Sequence, residues 1–204
     1  MEATASRPFR TLSHPAFWTF VLAAIVVLPL LHQWLGPRAQ PLPILGTVPD
    51  FHFQDQAGAP FGPETLRGKP WVADFVFTRC PTVCPLMTER LAALLPRLGE
   101  RVHLVSVSVD PDFDTPQRLR DFAEEHGATS VRWHFLTGDS AAVQRAVTEG
   151  FKISLAHEGP DADFLSIVHG VHLVLVDKDG HIRGYYDSGD SEALERLVRD
   201  VHRL

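Results

Sequence analysis

The chain is poor in the residues that build several common kinds of protein. Its 204 residues include only two cysteines, Cys80 and Cys84, which are too few for a disulfide scaffold. Met1 and Met87 are the only methionines, so a methionine-rich site for a soft metal is excluded. The formal net charge of −6 offers no basic surface, and we therefore expect no nucleic-acid partner. Internal repeats and low-complexity tracts are also absent.

Charged residues are missing altogether from one N-terminal segment, residues 16–35. As a helix, this run of 20 residues would cover about 30 Å, which is the thickness of a bilayer core. Trp18 and Trp34 lie near its two ends, where interfacial aromatic residues are found. We predict a retained transmembrane anchor over residues 15–35. A cleaved signal peptide is the alternative, but the run is long and lacks a small-x-small cleavage site before the polar segment that follows.

The charges around this anchor predict its orientation. Arg7 and Arg10 outweigh Glu2 before the apolar run, whereas the chain after it is acidic overall. This asymmetry predicts a short cytoplasmic tail, residues 1–14, and a single pass through the inner membrane. The rest of the chain would lie in a periplasm or equivalent compartment, and without a lipobox cysteine the anchor would be protein rather than lipid.

Two further segments complete the predicted organisation. Residues 36–49 contain four prolines and little periodic pattern, which indicates an extended linker. Residues 50–204 form the predicted folded domain. Its β-branched and apolar runs predict strands, at residues 71–77, 102–109, 133–136, 171–176 and 182–186. Helical spacing follows Pro85, and Thr115 and Ser140 are predicted to cap two more helices. A small hairpin is predicted at the start of the domain and a helix at residues 191–202. This order predicts an α/β fold, a thioredoxin-like three-layer sandwich.

Both cysteines follow the predicted strand at 71–77 and adjoin the helix after it. The N-terminal end of a helix favours a thiolate, because its N–H groups are open and its dipole is positive there. Cys80 and Cys84 are four residues apart, so one helical turn would bring their sulfurs to one face. That arrangement suits either a disulfide or a two-sulfur clamp on a soft metal. The alternative is a pair of buried cysteines that act as small hydrophobic residues.

His169 is the histidine whose position suggests a third donor. It follows an apolar stretch, precedes Gly170 and lies just before the strand predicted at 171–176. In the predicted fold this loop passes close to the cysteine turn, and alternation along the strand would turn His172 away. Two thiolates and one imidazole suit copper, whereas zinc usually takes a fourth ligand.

Four motifs resemble those of the Sco/SenC family, copper proteins that help to assemble cytochrome c oxidase. Phe77–Pro85 resembles the family signature F-T-x-C-P-x-x-C-P. Ser108–Pro116 resembles its second motif, V-D-P-x-x-D-T-P, and Leu136–Gly138 its L-T-G. Val168–His169 before an apolar strand resembles the segment with the copper histidine. The resemblance covers about residues 48–200 in the expected order, with one N-terminal anchor as in the family.

The resemblance implies a set of ligands and supporting residues. The copper ligands would be Cys80, Cys84 and His169, binding Cu(I) or Cu(II), and the cysteines could form a disulfide. Asp110 and Asp114 match the acidic residues of the second motif. They would form a turn and a helix cap, or support the site from outside the ligand set. Where the family usually has Asp-His-Ser or Asp-His-Thr, this chain has Val-His-Gly at 168–170.

The leading functional prediction is a membrane-anchored copper chaperone that delivers copper to a respiratory oxidase. Its partner would be the copper-bearing subunit of cytochrome c oxidase or another apo-copper protein, and its action would be binding and delivery rather than enzymatic turnover. The alternative is a thiol–disulfide oxidoreductase that keeps a partner's cysteines reduced. Asp74, six residues before Cys80, resembles the buried acid of thioredoxins and would handle the proton. A structural role for Asp74 is equally open. The C-x-x-x-C spacing argues against general disulfide exchange, and nothing specifies the pocket of a peroxidase.

Overall fold

The computed structural model describes residues 15–35, 41–153 and 172–204. The chain divides into two compact units, and Pro41 begins the second. In the first unit, helix α1 runs over Pro15–Leu35 and contains no charged residue. Its side chains are described at residues 15 and 17–28. Within the described residues, no helix combines the length and the apolar character that are needed to cross a membrane. The predicted anchor therefore stays a prediction.

The second unit is built on a six-stranded sheet with the strand order β1-β8-β7-β4-β5-β6. Strands β4, β5 and β6 are parallel to one another, whereas β7 is antiparallel to both β4 and β8. Strands β2 and β3, each two residues long, pair with each other in a separate antiparallel hairpin. The strands are β1 Gly46–Thr47, β2 Phe53–Gln54, β3 Pro60–Phe61, β4 Trp71–Val76, β5 His103–Ser108, β6 Trp133–Leu136, β7 His172–Val176 and β8 His181–Asp187.

Helices cover both faces of this sheet and enclose two clusters of buried side chains. The helices of this unit are α2 Val83–Leu94, α3 Pro116–Glu125, α4 Ser140–Arg145 and α5 Ser191–Val201. One cluster joins α2, α3 and α5 to the sheet face that bears Val72 and Val76. The other joins α4 and the β2–β3 hairpin to the opposite face, which bears Ala73 and Phe75. The observed strand order, parallel centre and helix layers confirm the predicted thioredoxin-like sandwich.

Residues at the end of the predicted linker take part in the sheet. Gly46 pairs with Ile182 and Thr47 with His181, so β1 adds an antiparallel edge strand to β8. The neighbouring N–H of Leu45 also donates to the carbonyl of Ile182 at 2.8 Å. Two paired residues are too few to produce an alternating pattern, which is why composition alone assigns this stretch to a linker.

Two helix starts differ from the sequence prediction. Helix α2 begins at Val83, before Pro85, because the first N–H groups of a helix need no partner within it and a proline is tolerated there. Asp139, not Ser140, caps α4, and its carboxylate accepts a hydrogen bond from the N–H of Ala142 at 2.8 Å. Helix α4 then continues as one π-helical turn, Ala146–Gly150. The predicted cap at Thr115 is confirmed.

Candidate functional site

The two thiols lie at the carboxyl end of the central strand. β4 ends at Val76, Cys80 lies in the turn that follows, and Cys84 lies in the first turn of α2. Both thiols are free and buried. The N–H of Cys84 donates to the Cys80 sulfur at 3.4 Å, and the N–H of Cys80 donates to the carbonyl of Phe77 at 3.1 Å. The predicted placement of the thiols at the junction of strand and helix is confirmed, although Cys84 lies within α2 rather than in the loop before it.

The two thiols have different electrostatic surroundings. Burial by itself would raise the pKa of Cys80, but hydrogen bonds from the N–H groups of Cys84, Thr82 and Val83 outweigh it, and the net pKa lies below its ordinary value. Burial raises the pKa of Cys84 strongly, and the nearby Cys80 and Asp74 raise it further. Cys80 is therefore the thiol suited to ionise and to react first, whereas Cys84 keeps its proton until a partner removes it.

Asp74 lies in the middle of β4, near enough to Cys84 to affect its pKa, and is completely buried. Its Oδ1 accepts a hydrogen bond from the Ser106 hydroxyl at 2.7 Å, and the indole N–H of Trp133 donates to the same Ser106 oxygen at 2.8 Å. Its Oδ2 has no hydrogen-bond partner among the described residues. Burial raises the pKa of Asp74 to about 7, against the lowering effect of Ser106. Asp74 can therefore take up or release a proton near neutral pH.

The loop from β5 to α3 packs against the cysteine turn through two carboxylates. Asp110 accepts hydrogen bonds on Oδ2 from Nε and Nη2 of Arg79, at 2.9 and 2.7 Å. Buried Asp114 accepts from the N–H of Thr78 at 3.1 Å and from the hydroxyl of Ser108 at 2.6 Å. Both acidic residues therefore contact the residues that immediately precede Cys80. The sequence prediction missed Thr78 and Ser108, although each belongs to one of the two motifs.

His169, the predicted third donor, lies outside the described residues. The strand that follows it, β7, is described, and its pairing shows at which end of β4 this strand begins. β7 is antiparallel to β4 with Trp71 opposite Val176 and Ala73 opposite Val174. His172, the first residue of β7, therefore lies toward the carboxyl end of β4, which is the end that leads to the thiols. His103 lies at the opposite edge, because it pairs with Trp71.

Another group of possible metal donors occurs in the β7–β8 turn. Donor atoms of Asp177, Asp179 and His181 lie within 4.8 Å of one another. The buried carboxylate of Asp177 is already used, because it accepts from the N–H groups of Asp179 and His181 at 2.9 Å and from Nε of Arg183 at 2.6 Å. These bonds close the hairpin turn and account for the cluster without a metal ion.

The fold and the pair of free thiols define a class: a thioredoxin-like protein whose reactive groups are two cysteines at the β4–α2 junction. The SCO1/SenC family model matches residues 43–204, and the chain belongs to that family. The sequence resemblance to Sco/SenC proteins is thus confirmed.

Individual relatives are similar over most of their length. The SCO1 protein homolog of Bacillus subtilis is 34% identical over 164 residues, which are 78% of this chain and 83% of that protein. A Stutzerimonas stutzeri protein that is named as copper-binding is 33% identical over 149 residues, 71% of each chain. The solved structure of BsSco, described as a Sco-family cytochrome c oxidase assembly protein with a disulfide switch, superposes with a TM-score of 0.70 at 30% identity. It covers 80% of this chain and 97% of its own.

Proposed function

We propose that the protein is a copper chaperone in which Cys80 and Cys84 bind copper as thiolates and His169 completes the site. The observation that carries this proposal is the position of both free thiols at the start of α2, where a main-chain N–H already contacts the Cys80 sulfur at 3.4 Å. Thiolates are ligands that Cu(I) prefers. The copper-binding name of the Stutzerimonas relative supports the same metal.

The topology of β7 supports the role of His169. The strand begins toward the carboxyl end of β4, and His169 precedes His172 by three residues. Three residues of chain span at most about 10 Å, a reach that is compatible with the proposed approach of the His169 imidazole to the cysteine turn. A histidine at this point of the chain can complete a three-donor set with Cys80 and Cys84.

Delivery follows from the chemistry of the donors. Two thiolates hold Cu(I), and an apo-copper protein takes it by exchanging its own ligands for these. Oxidation of the pair to a disulfide removes both donors, so the redox state controls loading. BsSco is described as a cytochrome c oxidase assembly protein with a disulfide switch. This description supports the copper-bearing subunit of a respiratory oxidase as the recipient of the copper.

Anaerobic titration of the reduced, full-length protein in detergent tests the proposal. Cu(I) is added in competition with a chromophoric chelator, and Cu(II) binding is followed by electron paramagnetic resonance. We expect one copper per chain, no binding after oxidation of the thiols, and loss of binding in Cys80→Ser and in Cys84→Ser. Binding that survives both serine variants would exclude a thiolate site.

We propose further that α1 anchors the domain in the inner membrane. The support is its length of 21 residues without a charged side chain, together with the arginines that precede it. Residues 1–14 would be cytoplasmic, residues 36–49 would link the anchor to the sheet, and residues 50–204 would lie in the periplasm or an equivalent space. Protease added to intact spheroplasts should remove the domain. Protection of the domain until lysis contradicts this orientation.

A second function is favoured by the surroundings of Asp74. A completely buried carboxyl group with one unpartnered oxygen and a pKa of about 7 can accept the proton that Cys84 must lose in disulfide exchange. The protein would then act as a thiol–disulfide oxidoreductase that keeps the cysteines of a partner reduced for metallation. The test is the Asp74→Asn variant. This role is supported if the variant turns over a disulfide substrate more slowly than the wild type while its copper affinity is unchanged.

A further inference from the structure

The β5–α3 loop is bound to the cysteine turn by one buried carboxylate, that of Asp114, which is fully shielded from solvent. The Thr78 hydroxyl donates to its Oδ1 at 2.5 Å. The Thr78 N–H contacts both oxygens, at 3.3 Å to Oδ1 and 3.1 Å to Oδ2. The Ser108 hydroxyl donates to Oδ2 at 2.6 Å. Three donors from two strand ends thus converge on a single side chain.

This carboxylate is compensated by hydrogen bonds rather than by a countercharge. The ion pairs between described residues include no partner for Asp114. A carboxylate only accepts hydrogen bonds, so Thr78 and Ser108 are fixed as donors. Without it the Thr78 N–H, which is part-buried, would lose its acceptor, and a donor that is partly shielded from water is costly to leave unsatisfied. The bonds therefore determine where Thr78 lies.

Thr78 connects Asp114 to the thiols. It lies inside the turn that the N–H of Cys80 closes onto the carbonyl of Phe77 at 3.1 Å. The Cys80 sulfur, two residues further on, accepts the N–H of Cys84 at 3.4 Å. A shift of Thr78 would change the start of this turn and, with it, the position of the sulfur relative to the first N–H groups of α2.

A second contact between the same loop and turn is more exposed. Arg79 pairs with Asp110 at 2.7 Å, but the Arg79 side chain is 44% exposed. Its guanidinium lies 4.2 Å from the centre of the Phe113 ring. Exposed ion pairs contribute little and weaken with salt. The hydrogen bonds of Asp114, which is buried and accepts from three donors, therefore bind the loop to the turn more strongly than the Arg79–Asp110 ion pair does.

We propose that Asp114 is the positioning residue of the thiol site, and that it keeps the Cys80 sulfur over the first turn of α2 by fixing Thr78. This inference rests on the proposed function for its copper consequence alone, because the effect on the thiol itself does not require copper. The β5–α3 motif then has a defined role. It contributes no copper ligand itself, but it sets the geometry of the cysteine ligands.

The test compares Asp114→Asn, Asp114→Ala and Thr78→Val in the full-length, reduced protein. Asp177→Asn is the matched control, because Asp177 is also buried and accepts main-chain N–H groups, but in the β7–β8 turn. Cu(I) affinity is measured by chelator competition. The alkylation rate of Cys80 by iodoacetamide is followed against pH by peptide mass spectrometry, and circular dichroism verifies folding.

We expect Asp114→Ala to weaken Cu(I) binding by about 10-fold to 100-fold, as changes to residues that orient metal ligands do. Its Cys80 should need a higher pH to react. Asp114→Asn, which retains one acceptor oxygen, should restore part of both properties. Thr78→Val should shift both in the same direction by a smaller factor, and Asp177→Asn should change neither.

Folded Asp114→Ala with the wild-type affinity and the wild-type alkylation profile would overturn the proposal. If that variant does not fold, Thr78→Val decides: no change in its alkylation profile overturns the proposal, and a shift to higher pH supports it. If the wild type binds no Cu(I) but the profile shifts in the variants, the positioning role stands and the chaperone function falls. The two failures are thus distinguishable.

Discussion

The N–H of Cys84 points to the sulfur of Cys80 across 3.4 Å, so the first turn of α2 stabilises negative charge on one thiol and not on the other. The sulfur of Cys84 is deeper in the cluster formed by α2, α3, α5 and the sheet, and burial raises its pKa. One short motif therefore holds two cysteines with unequal chemistry.

The first prediction concerns the order in which the thiols react. At neutral pH, iodoacetamide should label Cys80 at least about ten times faster than Cys84, because the pKa of Cys80 is lowered whereas that of Cys84 is raised. Peptide mass spectrometry of briefly labelled protein measures the ratio. Urea-unfolded protein is the control and should label both equally. Equal labelling of the folded protein would show that the helix does not distinguish the thiols.

The second prediction concerns pH and Asp74. Its pKa is about 7 in the folded protein, whereas the ordinary value for an unburied aspartate is 3.8. Between these values the unfolded chain has lost a proton that the folded chain retains, so the free energy of unfolding falls as pH rises. The fall between pH 5 and pH 8 should be about 3 kcal/mol. In Asp74→Asn this part of the pH dependence should disappear.

Urea unfolding of the reduced protein at both pH values measures the effect of Asp74. Asp177→Asn is the control, because the pKa of Asp177 is lowered and its contribution is lost only in acid. This variant should be less stable throughout yet keep the wild-type slope between pH 5 and pH 8. The prediction is contradicted if Asp74→Asn and the wild type lose the same free energy over that interval.

The third prediction separates copper binding from disulfide chemistry. His169→Ala should lower Cu(I) affinity at least about tenfold. Loss of a residue that only hydrogen-bonds to a metal ligand already lowers affinity by that factor, and loss of the ligand itself should lower it no less. Reduction of insulin disulfides should be largely intact, because both thiols and Asp74 are unchanged. His52→Ala is the matched control, since its side chain is 80% exposed and it immediately precedes β2. Unchanged copper affinity in His169→Ala would remove His169 from the ligand set.

The fourth prediction concerns Thr88, one helical turn after Cys84. Its hydroxyl is buried and has no hydrogen-bond partner among the described residues. Valine has nearly the same shape without the hydroxyl, so Thr88→Val should raise the free energy of unfolding by about 1 kcal/mol. Urea unfolding provides the measurement. Thr148→Val, which removes a bond of 2.7 Å to the carbonyl of Gln144, should give no such gain. A less stable Thr88→Val would indicate a partner for the hydroxyl.

The central strands, the hairpin through Asp177–Gly180 and the helix capped by Thr115 could be predicted because their signals are local. Apolar runs, turn residues and a capping threonine each act within a few positions. Local signals are less reliable where two residues can perform the same role. Asp139 and Ser140 can both cap a helix, and the structure uses Asp139.

The contact between Thr78 and Asp114 could not be predicted in the same way. The two residues are 36 positions apart, and they meet only because β4 and β5 pair in parallel with Val76 opposite Ser108. That register brings the ends of both strands, and hence both motifs, to one edge of the sheet. Periodicity locates each strand but does not determine which loop residues will face each other across the edge.

The bond from the Trp133 indole to Ser106 has a practical consequence, because Ser106 in turn donates to Asp74. The ionisation of a carboxyl group one hydroxyl away alters the electric field along the indole, and tryptophan emission responds to that field. Trp133 is thereby an optical reporter built into the β5–β6 region. Once Trp18, Trp34 and Trp71 are replaced by phenylalanine, its fluorescence should follow the protonation of the buried acid without a label, in the same sample in which the thiols are oxidised, reduced or loaded.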